Sequence, residues 1–195
     1  MSDPDMARRL RTFIVALLIS PLFTRADVNV EITAHIINTT CEFSFDRGKY
    51  VNLGDLGVND FDNSVTPEDL HGKGSPFYIT VKDCAPVGGV NPTKMTIDFQ
   101  PVSGSMSPYS KQIFANEDSN GAQNIGVVIF STHDPNNIFN VMNIDGTPRS
   151  VYDVTPADYT NAHYSFYARM QKILSAQPIT PGAVQSRVQV TIYYE

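Results

Sequence analysis

The sequence predicts an all-β domain, a sandwich of short antiparallel strands. Three observations predict it. Residues 27–36 alternate polar and apolar without an error, and residues 188–194 do the same at the far end of the chain. Between them short apolar runs alternate with turn residues, and no sustained helical stripe appears.

Ahead of the predicted domain lies a targeting pattern. Arg8, Arg9 and Arg11 form a basic cluster, residues 12–23 are almost uninterruptedly apolar, and Thr24-Arg25-Ala26 ends the run with small residues at the positions that precede a cleavage site. Residues 1–26 therefore read as a signal peptide, cut after Ala26. The apolar run is shorter than the roughly 20 residues that span a bilayer, and Ser20 and Pro21 interrupt it. Met6 is an alternative start, because Asp3 and Asp5 stand before the basic cluster.

The first strand follows at once. Val28, Val30, Ile32, Ala34 and Ile36 fall on one face, and Asp27, Asn29, Glu31, Thr33 and His35 fall on the other. Val and Ile also favour an extended backbone. Further strands are expected near 50–53, 76–83, 94–100, 124–131, 163–170 and 184–194. Gly54-Asp55, Gly88-Gly89, Asn120-Gly121, Asp145-Gly146 and Thr180-Pro181-Gly182 punctuate them as turns. Residues 59–74 and 101–121 read as loops, with room for short helical turns. In the last strand Val188, Val190, Ile192 and Tyr194 share a face, and Glu195 follows.

Two cysteines, Cys41 and Cys84, lie in the predicted mature region. In an exported chain the expectation is one disulfide closing a loop of about 43 residues, worth on the order of 4 kcal/mol in the chain-entropy model. A metal site is the poorer reading, since neither cysteine has a CxxC partner or a neighbouring histidine.

Loss of residues 1–26 removes Arg8, Arg9, Arg11 and Arg25 with Asp3 and Asp5, so 10 basic and 18 acidic residues remain, a net charge of −8. No basic stripe survives, which argues against nucleic acid as a partner. Enzyme chemistry finds no footing either. His35, His71, His133 and His163 are isolated in sequence, and no GxSxG elbow, HExxH pair or phosphate-binding glycine loop occurs. Asp60 to Ser64 has the outline of a calcium loop, but Val65 stands where the turn needs glycine and His71 where the bidentate glutamate belongs, so turn-forming acids are the better reading. No cofactor is expected.

Several motifs in order resemble the pilin family of chaperone-usher fimbriae, most closely the minor or adaptor subunits of type 1-like fimbriae. They are Ala26-Asp27-Val28 opening the alternating segment, Cys41, Val51-Asn52-Leu53-Gly54-Asp55-Leu56, Phe77 through Cys84, Asn124 through Ile129, and Phe166-Tyr167-Ala168-Arg169. The family also carries a glycine fourteenth from the end and an aromatic residue next to last, places held here by Gly182 and Tyr194. The longer loops at 59–74 and 134–158 depart from the family's shorter members and leave the subunit's role (shaft, adaptor or minor) open.

The resemblance implies an incomplete immunoglobulin-like β-sandwich completed by a strand donated from another subunit. Residues 27–37 become a donor-strand extension, with Val28, Val30, Ile32, Ala34 and Ile36 as its inward set, and residues 38–195 the pilin domain. Gly182, Val188, Val190, Ile192, Tyr194 and Glu195 become the strand that lines the groove and meets a periplasmic chaperone. Implied partners are neighbouring fimbrial subunits, that chaperone and an outer-membrane usher, with export through the periplasm to a cell-surface fimbrium and a contribution to cell adhesion. The competing expectation is a secreted β-sandwich that binds a carbohydrate or receptor through its loops.

Overall fold

The computed structural model describes residues 29–36, 42–46, 48–84, 92–102, 104–159 and 161–194, with the backbone alone at 29 and 33–36. The signal segment 1–26, Val28, Cys41 and Glu195 lie outside the described residues.

Among the described residues twelve strands form two sheets. They are β1 (Asn29–Ile36), β2 (Glu42–Phe45), β3 (Tyr50–Asn52), β4 (Gly74–Lys82), β5 (Lys94–Pro101), β6 (Met106–Ser107), β7 (Ser110–Ala115), β8 (Ile125–Ser131), β9 (Phe139–Asn140), β10 (Val151–Asp153), β11 (Asn161–Lys172) and β12 (Gln185–Tyr194). The first sheet runs β10-β5-β12-β1-β3, and the second runs β2-β4-β11-β8-β7-β6 with β9 paired to β8.

Alternation along the strands becomes the core because successive side chains point to opposite faces of a sheet. Met95, Ile97 and Phe99 of β5 and Val188, Val190 and Ile192 of β12 turn inward from the first sheet, all with at most 1% exposure. Phe77, Ile79 and Val81 of β4 and Phe166 and Ala168 of β11 meet them from the second, in one continuous cluster. Phe166 stacks on Phe77 at 5.4 Å and presents its edge to Phe99 at 5.0 Å, so one ring ties the two layers together.

Five strands, β2, β6, β7, β9 and β10, were not legible in sequence. β2 is only four residues long, and β6 and β7 fall in the 101–121 stretch expected to be loop. Ser110-Lys111-Gln112 breaks any apolar period in β7, yet Gln112 is buried because its amide donates to Met142 O at 3.0 Å and to the Glu68 carboxylate. Tertiary contacts supply what the local pattern lacks.

The second sheet is covered on its outer side as well. All seven residues of β8 are buried, and Ile113, Val128 and Phe130 form a small satellite cluster there. The 62–69 segment covers part of this face and is held by side chains rather than by strand pairing. Arg169, 3% exposed, donates from Nη2 to the carbonyls of Thr66 (2.9 Å) and Asp69 (2.7 Å), and its guanidinium lies over the Phe130 ring at 5.3 Å. Gln171 Nε2 donates to Val65 O, Asn140 Nδ2 to Pro67 O, and Arg149 pairs with Glu68. Burial lowers the Arg169 guanidinium to about 10, which still leaves it cationic at neutral pH. Replacing Arg169 with alanine strips two carbonyls of a charged donor and is expected to cost about 2–4 kcal/mol. Urea unfolding measures that loss, and limited proteolysis is expected to cut first within residues 62–73 of the variant.

Candidate functional site

The first strand occupies an unusual place. β1 is the N-terminal strand of the described fold, yet it lies inside the sheet between β12 and β3. It runs parallel to β12, with Val30 beside Ser186, Ile32 beside Val188, Ala34 beside Val190 and Ile36 beside Ile192. Every other strand pairing among the described residues is antiparallel.

In the single chain the segment expected as a donor-strand extension pairs with β12 and β3 of its own domain. Val30 and Ile32 are at most 1% exposed and belong to the same core cluster as Val51, Val188 and Val190. The physical reason is proximity. Residues 37–41 are the whole connection from β1 to β2, and a short tether keeps an apolar strand at millimolar effective concentration beside any groove within reach.

The two halves of β1 are held differently. Asn29, Val30 and Glu31 pair with Asn52, Val51 and Tyr50, and Ile32 N donates to Lys49 O at 2.8 Å. Residues 33–36 pair with β12 alone. Lys49 Nζ reaches Glu31 at 3.3 Å on the solvent side, a pair too exposed to matter much for stability.

At one end of this slot, where β12 begins, Gly182 sets the geometry. Its φ is +156°, and a side chain there would place Cβ 2.4 Å from Ala122 N and 2.6 Å from Gly121 C, so only glycine fits. Asn116, which sequence reasoning missed, completes the junction: its Nδ2 donates to Ala122 O and Ala183 O, and its Oδ1 accepts from the amides of Gln185 and Asp118. Ser186 Oγ donates to Ala115 O at 2.7 Å, and Glu117 binds Arg187 through both its backbone N and its Nε. No local period marks these residues; their partners are about 70 positions away. An open, mostly apolar cavity of about 950 Å³ continues the slot at this end, lined by Leu56, Phe61, Ala122, Ile125, Met170 and Val184 among others.

At the other end, Tyr194 closes the strand. Its hydroxyl lies 3.0 Å from Cys84 Sγ, and its ring meets Tyr159 edge-on at 5.8 Å. Cys84 N donates to Tyr159 O at 3.0 Å. Burial pushes the Tyr194 phenol up to about 12, with Tyr159 and Asp158 adding to the shift.

Among the described residues, reactive groups are not gathered anywhere comparable. No cluster of three or more His, Cys, Asp or Glu suited to a metal occurs among the described residues. His163 bonds Thr80 Oγ1 through Nδ1, and His133 packs on Tyr152 and Tyr164. Asp60 accepts from Gly57 N and Asp62 from Ser64 N and Oγ, so the acids that outline a calcium loop are spent on closing their own turns.

Comparison with known proteins gives a family. The family model described as fimbrial protein matches residues 30–195, nearly all of the described fold. The chain belongs to the fimbrial protein family. This fimbrial chain is 42% identical over 191 residues to the uncharacterized fimbrial-like protein YadK of Escherichia coli (strain K12), covering 97% of this chain and 96% of that protein. Among solved structures it matches the CupB6 tip adhesin from Pseudomonas aeruginosa at 15% identity and a TM-score of 0.47, over 86% of this chain; it spans 43% of that adhesin's length. The family is structural and non-enzymatic, its members assemble with other fimbrial subunits, and its setting is a cell-surface appendage.

Two measurements probe this fimbrial slot. Gly182→Ala is expected to lose about 2–4 kcal/mol, from the strained φ and the backbone clash together, read as a lower urea midpoint with m unchanged. Burial also raises the phenols of Tyr152, to about 12, and of Tyr164. With Tyr194 these groups hold their protons more tightly folded than unfolded. Stability is thus expected to be flat from neutral pH towards 9 and to fall as pH rises through 10 to 12, where the unfolded chain ionises first. Urea titrations at stepped pH check the sign.

Proposed function

We propose that this fimbrial subunit polymerises by donor-strand exchange, giving the segment 27–37 to a neighbouring subunit and receiving a strand from another. The observation that carries this reading is the slot between β12 and β3. An interior strand that is tethered at one end only can leave without breaking the chain's course through the rest of the sandwich. Its departure opens a groove whose walls are Val188, Val190 and Ile192 on one side and Val51 on the other, all buried.

The energetics favour refilling that groove. Burying Val30 and Ile32 contributes about 1.5–3 kcal/mol each, and the ladder bonds along β12 add to it. A donor strand in the same slot presents the alternating set Val28, Val30, Ile32, Ala34 and Ile36 to this floor. Contacts of this kind are heterologous and do not close on themselves, so they extend a filament; strand addition between chaperone and pilin is a general form of β-augmentation.

Further parts of the reading follow. An empty groove is an aggregation hazard, which calls for a periplasmic chaperone along β12, meeting Val188 through Tyr194 and the terminal Glu195, and for an outer-membrane usher where exchange occurs. Residues 1–26 serve as the export signal for this route. Cys41 and Cys84 form the staple: Glu42, which follows Cys41 in sequence, pairs with Lys82, two residues before Cys84, and no described cysteine is a free thiol. Through the assembled fimbria the subunit contributes to cell adhesion.

Cells assembling the fimbria provide the test. Ile32→Asp places a carboxylate where the donor must enter an apolar groove and is expected to reduce incorporation into sheared fimbriae to background, while Glu31→Gln, on the outward face, leaves it unchanged. Normal incorporation of the Ile32→Asp subunit would refute the donor assignment.

A further inference from the structure

We infer that Arg169 and Lys172 hold a small monovalent anion, of the halide class, in the cavity between residues 60–73 and the end of β11. The site belongs to the second sheet and does not depend on strand exchange. A guanidinium carries five N–H donors, and those of Arg169 can be followed one by one. Nη1 donates to Met170 O and Gln171 Oε1, and Nη2 to Thr66 O and Asp69 O. Nε has no partner among the described residues, although Arg169 is only 3% exposed. All four acceptors are uncharged. Lys172 repeats the pattern, with Nζ donating to Asn63 Oδ1 at 2.6 Å and to Ser175 O at 3.0 Å. Neither cation pairs with a carboxylate among the described residues. A buried charge that meets only neutral dipoles remains short of a counter-charge.

Both side chains line a cavity of about 20 Å³, together with Asp60, Asp62, Gly72 and Lys73. That is room for one water or one ion of similar size. Its lining charges are three positive, Lys73, Arg169 and Lys172, against two negative, Asp60 and Asp62. The acids are already engaged: Asp60 accepts from Lys73 Nζ and Gly57 N, and Asp62 from Ser64 N and Oγ. Asp69 Oδ2 accepts from Thr66 N and Oγ1, so that carboxylate acts on Arg169 only at longer range. One positive charge is left over, which suits a monovalent anion and disfavours a cation. His71, also at the cavity, adds to the surplus when protonated. A water would satisfy the Nε–H but not the charge. Burial lowers the Arg169 guanidinium, as expected of a cation whose desolvation no counter-charge offsets. Because Arg169 also clamps the carbonyls of Thr66 and Asp69, an anion at Nε ties closure of the 62–69 segment to halide concentration.

For the test, the full-length chain is expressed, the folded subunit is purified in sodium gluconate, and bromide replaces gluconate at constant ionic strength. In crystals grown with bromide, an anomalous peak is expected in hydrogen-bond contact with Arg169 Nε. In solution the urea midpoint is expected to rise saturably, reaching about an elevenfold shift of the unfolding equilibrium at ten times Kd. Amide exchange at Thr66, Glu68 and Asp69 is expected to slow in step. Arg169→Lys keeps the charge but drops the Nε donor, and is expected to lose the saturable response. Lys172→Gln leaves Arg169 and its carbonyl ties in place and is expected to weaken the response several-fold; it carries the comparison if Arg169→Lys does not fold. General salt effects act on wild type and variants alike and cancel between them. Water at Nε with no anomalous peak overturns the site, and so does a response as strong in the variants as in wild type. A peak in the crystal without a saturable response in solution means an adventitious ion only, and overturns it as well.

Discussion

The inward face of β12 is the constraint on which this structure depends. Val188, Val190 and Ile192 are fully buried at the centre of the first sheet, with β5 bonded along one edge and β1 along the other. Without a strand on the β1 side, a row of backbone amides and carbonyls loses its partners and the apolar floor opens to water, and both losses are costly. In the described fold that cover comes from β1, the first strand, laid beside β12, the last.

The rest of the molecule reads as a platform that keeps this slot in shape. The second sheet is buried on both faces along β8, is tied across the core by Phe166, and carries the 62–69 segment clamped by Arg169, Gln171 and Asn140. Asn116 and Gly182 fix where β12 starts, and the Tyr194, Tyr159 and Cys84 contacts fix where it finishes. Permanence is concentrated away from β1. The strand exchange we propose needs this division, since local opening spreads least where the neighbouring elements have their own contacts. Membership in a structural, filament-forming family is consistent with a molecule whose most developed feature is a groove and not a reactive centre.

Legibility followed locality. The two alternating strands could be read directly, because the face a side chain takes is decided by its parity along one strand. Gly182 read as part of a turn and Tyr194 as part of the last alternating face, and the resemblance singled both out, but the reasons for them are tertiary: the approach of Gly121 and Ala122 to the glycine, and the contact of the phenol with Cys84. Asn116, Glu117 and Gln112 were invisible, since a single polar residue in a loop or a broken strand carries no period. Their importance lies in partners such as Gln185, Arg187 and Met142. The short strands β2, β6, β9 and β10 were missed for the same reason; two to four residues cannot show a pattern.

By itself, then, the sequence determined that this is an all-β chain and that residues 28–36 and 188–194 each have one apolar face. Those are properties of a strand's own alternation. Where the first strand goes was decided only by the tertiary structure. An alternating strand fits any groove of the right floor and length, its own or a neighbour's, and the pattern is the same in both. The five-residue connection to β2 and the gap between β12 and β3 place it within its own sheet, because a tethered strand finds the nearest apolar groove before any distant one.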